Sequence, residues 1–530
     1  MKKAERLFNP LSWAGRLMLA VSGASGALAM QPFAFWLAIF TLLMPPVLML
    51  DRFYQQSQNL PKKQKIRQAA LLGWFWGFGY FTAGLWWLGK AFLVEADQFA
   101  WAMPFGVIGL PAVLAIYTAL AFVILSFMWS THWSRILVFT AVITLFEWLR
   151  GTLLTGFPWN VIGMALGNHL YFMQAAAYIG LYGLTLLTIF IGSAPATLLD
   201  KSARLLTSCF ALVVLAGLSG LGYSRIPEEP QPTFVNVRLR IVQPNIQQDE
   251  NFNSSNSEAI LENYIELSTE ALPEEKPTHY IWPESAFPFI LHRQIEALNR
   301  IGTMLSKNGN ASLITGAARM IPPLPGEQAY QFFNAIQTVD SNGIIRDTYD
   351  KSHLVPFGEY EPAFAKSLLR MTGLKQFVSI PGGFTPAEKR APFSVSGLPP
   401  VAANICYEAI FPGEILPQSG ARPGVIINVT NDAWFGDSPG PYQHFAQARL
   451  RSVEEGLSLV RTANSGISGV IDPYGRILKM TRLNHVEVLD SELPLPLEEQ
   501  TFFNRLGQIP TLIIGIFIFL LGLYYRRKTA

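Results

Sequence analysis

Cys406 is one of two cysteines among 530 residues, and it stands where a nucleophile would be placed. The apolar run 401–405 ends at it, and Tyr407 and Glu408 follow at once. A thiol of ordinary pKa is mostly protonated at neutral pH and needs a base or a nearby cation to react. Two earlier residues offer both. Glu284 follows the run 280–283, and Lys351 follows the run 344–350. A carboxylate there can take the thiol proton, and an ammonium can stabilise the oxyanion that forms when the thiolate attacks a carbonyl. No histidine is needed in that scheme, and none adjoins Cys406 in sequence. Each residue also has a plainer account: Cys406 as a small buried hydrophobe, Glu284 as a cap for the next helix, Lys351 as a solvated turn residue. Cys209, the other cysteine, lies inside an apolar run and is expected to be dispensable.

The elements that must position these residues are legible from about residue 227. There Pro and Glu mark a linker, after which polar residues alternate with short β-branched runs. The pattern predicts strands at 237–242, 278–282, 312–317, 333–339, 344–349, 400–405, 425–430, 467–471 and 486–489. Helices are predicted at 257–272, 294–307 and 442–463. The turn Ser341-Asn342-Gly343 would close the hairpin of 333–339 with 344–349. Strands alternating with helices imply a layered α/β domain of roughly 270 residues, with two sheets between helix layers. Glu284, Lys351 and Cys406 each fall at a strand end.

The remainder of the chain is of another kind. Half of all residues are hydrophobic and 15% are charged, against roughly 25% in a soluble protein, and the mean hydropathy is positive. Apolar runs near the 20 residues that a span needs lie at 11–30, 32–50, 69–93, 104–128, 134–155, 171–199 and 205–223, with an eighth at 510–524. Basic residues cluster at Lys2, Lys3 and Arg6, at Arg52, Lys62, Lys63, Lys65 and Arg67, at Arg135, at Lys201 and Arg204, and at Arg526, Arg527 and Lys528. If all eight runs span, these clusters share one side, which places both termini in the cytoplasm and the α/β segment outside. Ala27-Leu28-Ala29 also resembles a signal-peptidase site, although Arg16 interrupts the run before it. Glu147 and Arg150 stand late in the fifth run, either as a functional intramembrane pair or as an interfacial ion pair. The net charge of +3 gives no argument for nucleic acid, two cysteines give no disulfide framework, and no Cys/His cluster has metal-ligand spacing.

Trp-Pro-Glu-Ser at 282–285, Asp-Lys-Ser-His-Leu-Val-Pro-Phe-Gly-Glu-Tyr at 350–360 and Ile-Cys-Tyr-Glu at 405–408 resemble the Glu, Lys and Cys motifs of the nitrilase superfamily. With seven apolar runs before them and an eighth after, nearly the whole chain resembles the bacterial apolipoprotein N-acyltransferase family, membrane-embedded members of that superfamily. The resemblance implies a polytopic α-helical membrane protein (1–226 and 506–530) with a nitrilase-like α-β-β-α sandwich inserted at 227–505, between transmembrane helices 7 and 8. It implies Glu284 as general base, Lys351 as oxyanion stabiliser and Cys406 as acyl-accepting nucleophile. Glu359 would orient Lys351 or relay a proton, and Tyr407 and Glu408 would flank the nucleophile. The stretch 428–436 also matches, with Trp434 and Phe435 on a loop over the acyl site. Where the family often carries Trp after Gln-x-Asn-Ile, this chain has Phe252 after Gln243-Pro244-Asn245-Ile246, and no role is assigned to it.

The reaction so implied moves a fatty acyl group from a membrane phospholipid, through a Cys406 thioester, to the α-amine of a diacylated apolipoprotein. It needs no cofactor and no metal. The enzyme is expected to be a monomer in the bacterial inner membrane with its catalytic domain periplasmic, and the loop 156–160 is a candidate for substrate access. Two rivals are a membrane-anchored amidase or nitrilase, which the same residues would serve, and a non-catalytic membrane assembly factor.

Overall fold

The computed structural model describes residues 9–94, 96–200, 204–247, 252–323, 330–362 and 383–529. Lys2, Lys3, Arg6 and Lys201 of the expected basic clusters lie outside the described residues. The chain divides into two compact units, Met1–Leu93 with Ala100–Pro227 and Thr501–Ala530, and Val94–Phe99 with Glu228–Gln500.

The first unit is helical. Its longer helices are α1 (Trp13–Ser25), α2 (Ala38–Gln56), α3 (Lys62–Leu85), α4 (Leu110–Met128), α5 (Arg135–Thr152), α6 (Ala176–Ser193), α7 (Arg204–Arg225) and, at the far end of the chain, α11 (Ile509–Thr529). Four helical stretches, Ala100–Met128, Phe172–Leu199, Leu205–Arg225 and Ile509–Arg527, are long and apolar enough to cross a membrane. The other expected runs are helical too, but α1 has only 13 residues and α5 carries Arg135, Glu147 and Arg150. On α7 and α11, Leu205, Phe210, Val213, Ile513 and Phe517 are exposed, as suits helices that face lipid. Two buried arginines inside the unit are paired with carboxylates. Arg135 bridges Asp51 at 2.8 Å and Asp200 at 2.8 Å. Arg150 binds Glu147 at 3.0 Å and donates to the carbonyls of Phe157 and Trp159, while Glu147 accepts from the Ile162 amide. Of the two readings of this pair, the contacts favour a structural one: it holds the loop that contains 156–160.

The second unit is a four-layer sandwich. One sheet has six strands in the order β11-β1-β2-β3-β4-β5: β1 Thr233–Gln243, β2 His279–Trp282, β3 Ser312–Ile321, β4 Gln331–Val339, β5 Ile345–Asp350 and β11 Glu487–Pro494. The other has five in the order β10-β9-β8-β7-β6: β6 Val401–Ile405, β7 Val425–Thr430, β8 Ser458–Ala463, β9 Gly469–Ile471 and β10 Ile477–Met480. Strand alternation assigns the faces. Val401, Ala403 and Ile405 of β6 join Ile241, Ile281, Ile314 and Ile336 in the core between the sheets. Ala402 points the other way, into a core under α10 (Pro439–Glu455) with Phe445 and Ala448. The outer face of the first sheet is covered by α8 (Ser257–Thr269) and α9 (Ile295–Lys307), through Ile260, Tyr264, Ile301 and Leu305. Phe252 packs at the edge of that core.

One sequence expectation fails here. A single helix over 442–463 does not form. α10 stops at Glu455 because Gly456 takes a left-handed φ of +67° and caps it, as glycine does without a Cβ penalty. The β-branched stretch after it becomes β8, parallel to β7 in the sheet interior. Short, exposed β10 was not expected at all.

Candidate active site

Glu284, Lys351 and Cys406 leave the ends of β2, β5 and β6 within two residues of the last strand position. β2 runs parallel to β3, and β5, two antiparallel steps further on, points the same way. The fold therefore brings the base and the ammonium to one end of the first sheet. β3 passes under Glu284 with no room to spare: a Cβ on Gly316 would lie 2.5 Å from the Glu284 Cα.

The site is a buried charge cluster. Lys351 Nζ donates to Glu359 Oε1 at 2.9 Å and to Glu284 Oε1 at 3.5 Å. Asn334 of β4 lies between the carboxylates, and its Nδ2 donates to an oxygen of each at 2.7 Å. The second oxygens are satisfied by backbone, Glu284 Oε2 by the Asn431 amide at 2.9 Å and Glu359 Oε2 by the Val355 amide at 2.7 Å. Lys351, Glu284 and Glu359 are 1%, 6% and 6% exposed. Burial opposes the Lys351 charge, but Glu359, Glu284 and Cys406 outweigh it and hold the ammonium above its ordinary pKa. Burial, assisted by Glu359 and opposed by Lys351, raises Glu284 above 4.5. The Cys406 thiol is pushed up by burial and then by the Glu284 charge, with Lys351 and a hydrogen bond with Thr430 acting the other way. A resting thiol beside a strengthened base suits proton transfer during attack rather than a standing thiolate.

Cys406 has a left-handed backbone, φ +48°, which costs a residue with a Cβ about 1–2 kcal/mol. Neighbouring contacts hold it there. The Glu408 carboxylate, fully buried, accepts from the Ile405 amide at 2.8 Å and from the Ser352 amide, the Ser352 hydroxyl and Tyr349 at 2.8–3.0 Å. Glu408 thus clamps the Cys406 turn to the Lys351 turn without touching either reacting group. Arg390 offsets its charge at 3.7 Å. Tyr407 is buried against His353 and Phe411. Trp434 and Phe435 lie half-buried on the turn Asp432–Phe435, whose preceding residue, Asn431, holds Glu284.

Besides Asn334, three residues were not legible as part of the site. His444 of α10 places Nε2 3.1 Å from the Cys406 carbonyl and Nδ1 2.8 Å from Asp432 Oδ1. Arg461 of β8 binds Asp432 Oδ2 at 2.9 Å. Although no histidine adjoins Cys406 in sequence, the fold supplies one. Asp432 lies in the 428–436 stretch already singled out, but nothing in the spacing links it to His444 or Arg461. Among the described residues no cluster has the ligands for a metal ion.

Residues 22–194 match the model of the apolipoprotein N-acyltransferase N-terminal domain, and residues 238–501 match that of the carbon-nitrogen hydrolases. A Rhodopseudomonas palustris protein named apolipoprotein N-acyltransferase is 41% identical over 524 residues, 97% of this chain and 96% of that one. The chain belongs to the apolipoprotein N-acyltransferase family. A Brucella melitensis family member is 41% identical over 536 residues, 99% of each chain. Membership makes the second unit a carbon-nitrogen hydrolase domain of the nitrilase superfamily and the protein an enzyme of that acyltransferase group, and the apolar helices fit a membrane protein.

Proposed function

We propose that the protein N-acylates apolipoproteins by a two-step reaction through Cys406. In the first step the Cys406 sulfur attacks the carbonyl carbon of a phospholipid acyl ester while Glu284 takes the thiol proton. Lys351 stabilises the tetrahedral oxyanion. The carbon–oxygen bond breaks, Glu284 returns the proton to the leaving oxygen, and lysophospholipid departs. In the second step the neutral α-amine of a diacylglyceryl-cysteine attacks the thioester. Its proton passes through Glu284 to the sulfur as the carbon–sulfur bond breaks, leaving an amide. Glu359 and Asn334 keep Lys351 and Glu284 in place, Glu408 holds the two turns together, and Trp434 with Phe435 shields the thioester from water.

Both substrates carry acyl chains, and each CH₂ kept out of water is worth about 0.8 kcal/mol. The chains therefore stay in the bilayer while the polar ends reach the site. The reading places the enzyme as a monomer in the bacterial inner membrane with eight spans, both termini cytoplasmic, and a periplasmic catalytic domain of 227–505 between spans seven and eight.

The observation that carries this reading is the convergence of Glu284, Lys351 and Cys406 from the carboxyl ends of β2, β5 and β6. The test is intact-mass analysis of the wild type and Cys406→Ala after incubation with phospholipid vesicles. A hydroxylamine-labile fatty-acyl adduct on wild type alone, discharged by a diacylated cysteinyl peptide, is expected. Wild type that releases free fatty acid and ignores the peptide would instead make it a hydrolase.

A further inference from the structure

Beyond the residues already given roles, a buried network reaches the nucleophile from behind. The Cys406 carbonyl has no hydrogen to give, so His444 Nε2, 3.1 Å away, must be the donor. His444 Nδ1 is served in either proton state. Asp432 Oδ1 at 2.8 Å accepts when the nitrogen is protonated, and Arg461 Nη2 at 3.1 Å donates when it is not. Asp432 is itself fixed by Arg461 and by the Thr430 hydroxyl at 3.1 Å. His444 and Arg461 are fully buried, and Asp432 is 1% exposed. The three come from α10, β8 and the turn after β7, and through His444 the group ends on one backbone atom of the strained residue. A Cβ on Gly466 would collide with the Asp432 carboxylate, so the backbone is shaped around this group.

We infer that His444 is a positioning residue for the nucleophile: anchored on Asp432 and Arg461, it holds the Cys406 carbonyl and with it the left-handed backbone that aims the sulfur. A salt bridge that served only the fold would have no need to end on that carbonyl. The same Asp432 opens the turn that follows Asn431, so the anchor that orients the nucleophile also steadies the amide that orients Glu284.

Two amide substitutions separate this role from general stability. In His444→Gln the side-chain nitrogen takes the place of Nε2 and reaches the Cys406 carbonyl. In His444→Asn it takes the place of Nδ1, keeping Asp432 and losing Cys406. The inference rests on the reading of Cys406 as nucleophile, so the primary measurement does not depend on that reading. It is the rate of iodoacetamide alkylation of Cys406 in the full-length protein in detergent, in a Cys209→Ser background, alongside the thermal unfolding midpoint. Loss of one oriented hydrogen bond corresponds to about a tenfold slower alkylation in His444→Asn, with His444→Gln within about threefold of the parent. In phospholipid vesicles the maximal acylation rate should fall in the same order, with the half-saturating donor concentration unchanged. Parental alkylation in His444→Asn would overturn the inference. So would equal losses in both variants, or losses that merely follow their unfolding midpoints. Absence of acylation in the parent would instead overturn the proposed function and leave the alkylation comparison intact.

Discussion

Replacing Lys351 by Met separates two things that the ammonium does. It lies 2.9 Å from Glu359 and 3.5 Å from Glu284, all three nearly fully buried. Removing it leaves two carboxylates that share one Asn334 amide nitrogen and no longer have that cation between them. Stripping one partner from a buried ion pair costs about 3–5 kcal/mol, chiefly because the remaining charge is uncompensated. The single variant should therefore unfold at clearly lower temperature in detergent. Lys351→Met/Glu359→Gln removes one negative charge as well and should recover at least half of that loss. Acyl transfer should not recover. An oxyanion donor is worth about 2.7–4 kcal/mol, or 10²–10³ in rate, and neither variant supplies one. The assay is single-turnover acylation of Cys406 by intact mass at saturating phospholipid, beside thermal unfolding of the same samples. If the double variant regained acylation to within about tenfold of wild type, Lys351 would be a charge balancer and the oxyanion assignment would be wrong.

Three further outcomes are expected. Glu284 acts as a base only when ionised and its pKa is raised above 4.5, so Cys406 acylation should decline on acidification at a pH where an ordinary glutamate is still charged; a flat rate down to pH 4.5 would refute this. Asp432 is held down to about 2 against 3.8, with burial opposing and Arg461 and His444 prevailing. Its stabilisation, about 2 kcal/mol, is present above pH 3.8 and is lost as pH falls toward 2, so the acid limb of unfolding should flatten in Asp432→Asn. Gly316→Ala should slow acylation and cost about 1–3 kcal/mol of stability, because the new methyl group meets backbone at Glu284 and Pro283 rather than a side chain that can swing away; wild-type values for both would show that β3 can yield.

The reacting groups were readable in sequence because each lies just past a short strand. Strand ends are where a fold exposes side chains while fixing their backbone. The groups that hold them were not. Asn334 is an ordinary-looking residue within β4, and its role appears only when antiparallel pairing sets it beside Lys351, whose amide donates to its carbonyl. Glu408 read as a flanking residue, yet its donors come from Tyr349, Ser352 and Ile405, two of them more than fifty positions away. Asp432, His444 and Arg461 span three elements with no shared period. The boundary between α10 and β8 was missed because one glycine, in a stretch of otherwise helical periodicity, decided it. The four helices that satisfy length and apolarity were plain from composition, whereas the pairing of the three charged residues of α5 inside the unit appears only in the packing.

The direction of the strands also sets where this domain can change. Glu284, Lys351, Cys406 and Asn431 all emerge at carboxyl ends, so a residue added in any of those connections would move a reacting group or its anchor. The opposite rim carries no such load. At Gly309–Asn310, before β3, the chain is exposed and a side chain at Gly309 would meet nothing. Loop length there is entropically inexpensive, each doubling costing about 0.6 kcal/mol. An epitope tag or a fluorescent reporter inserted at 309–310 should leave acylation intact, and related chains should differ in length on that rim far more than on the other.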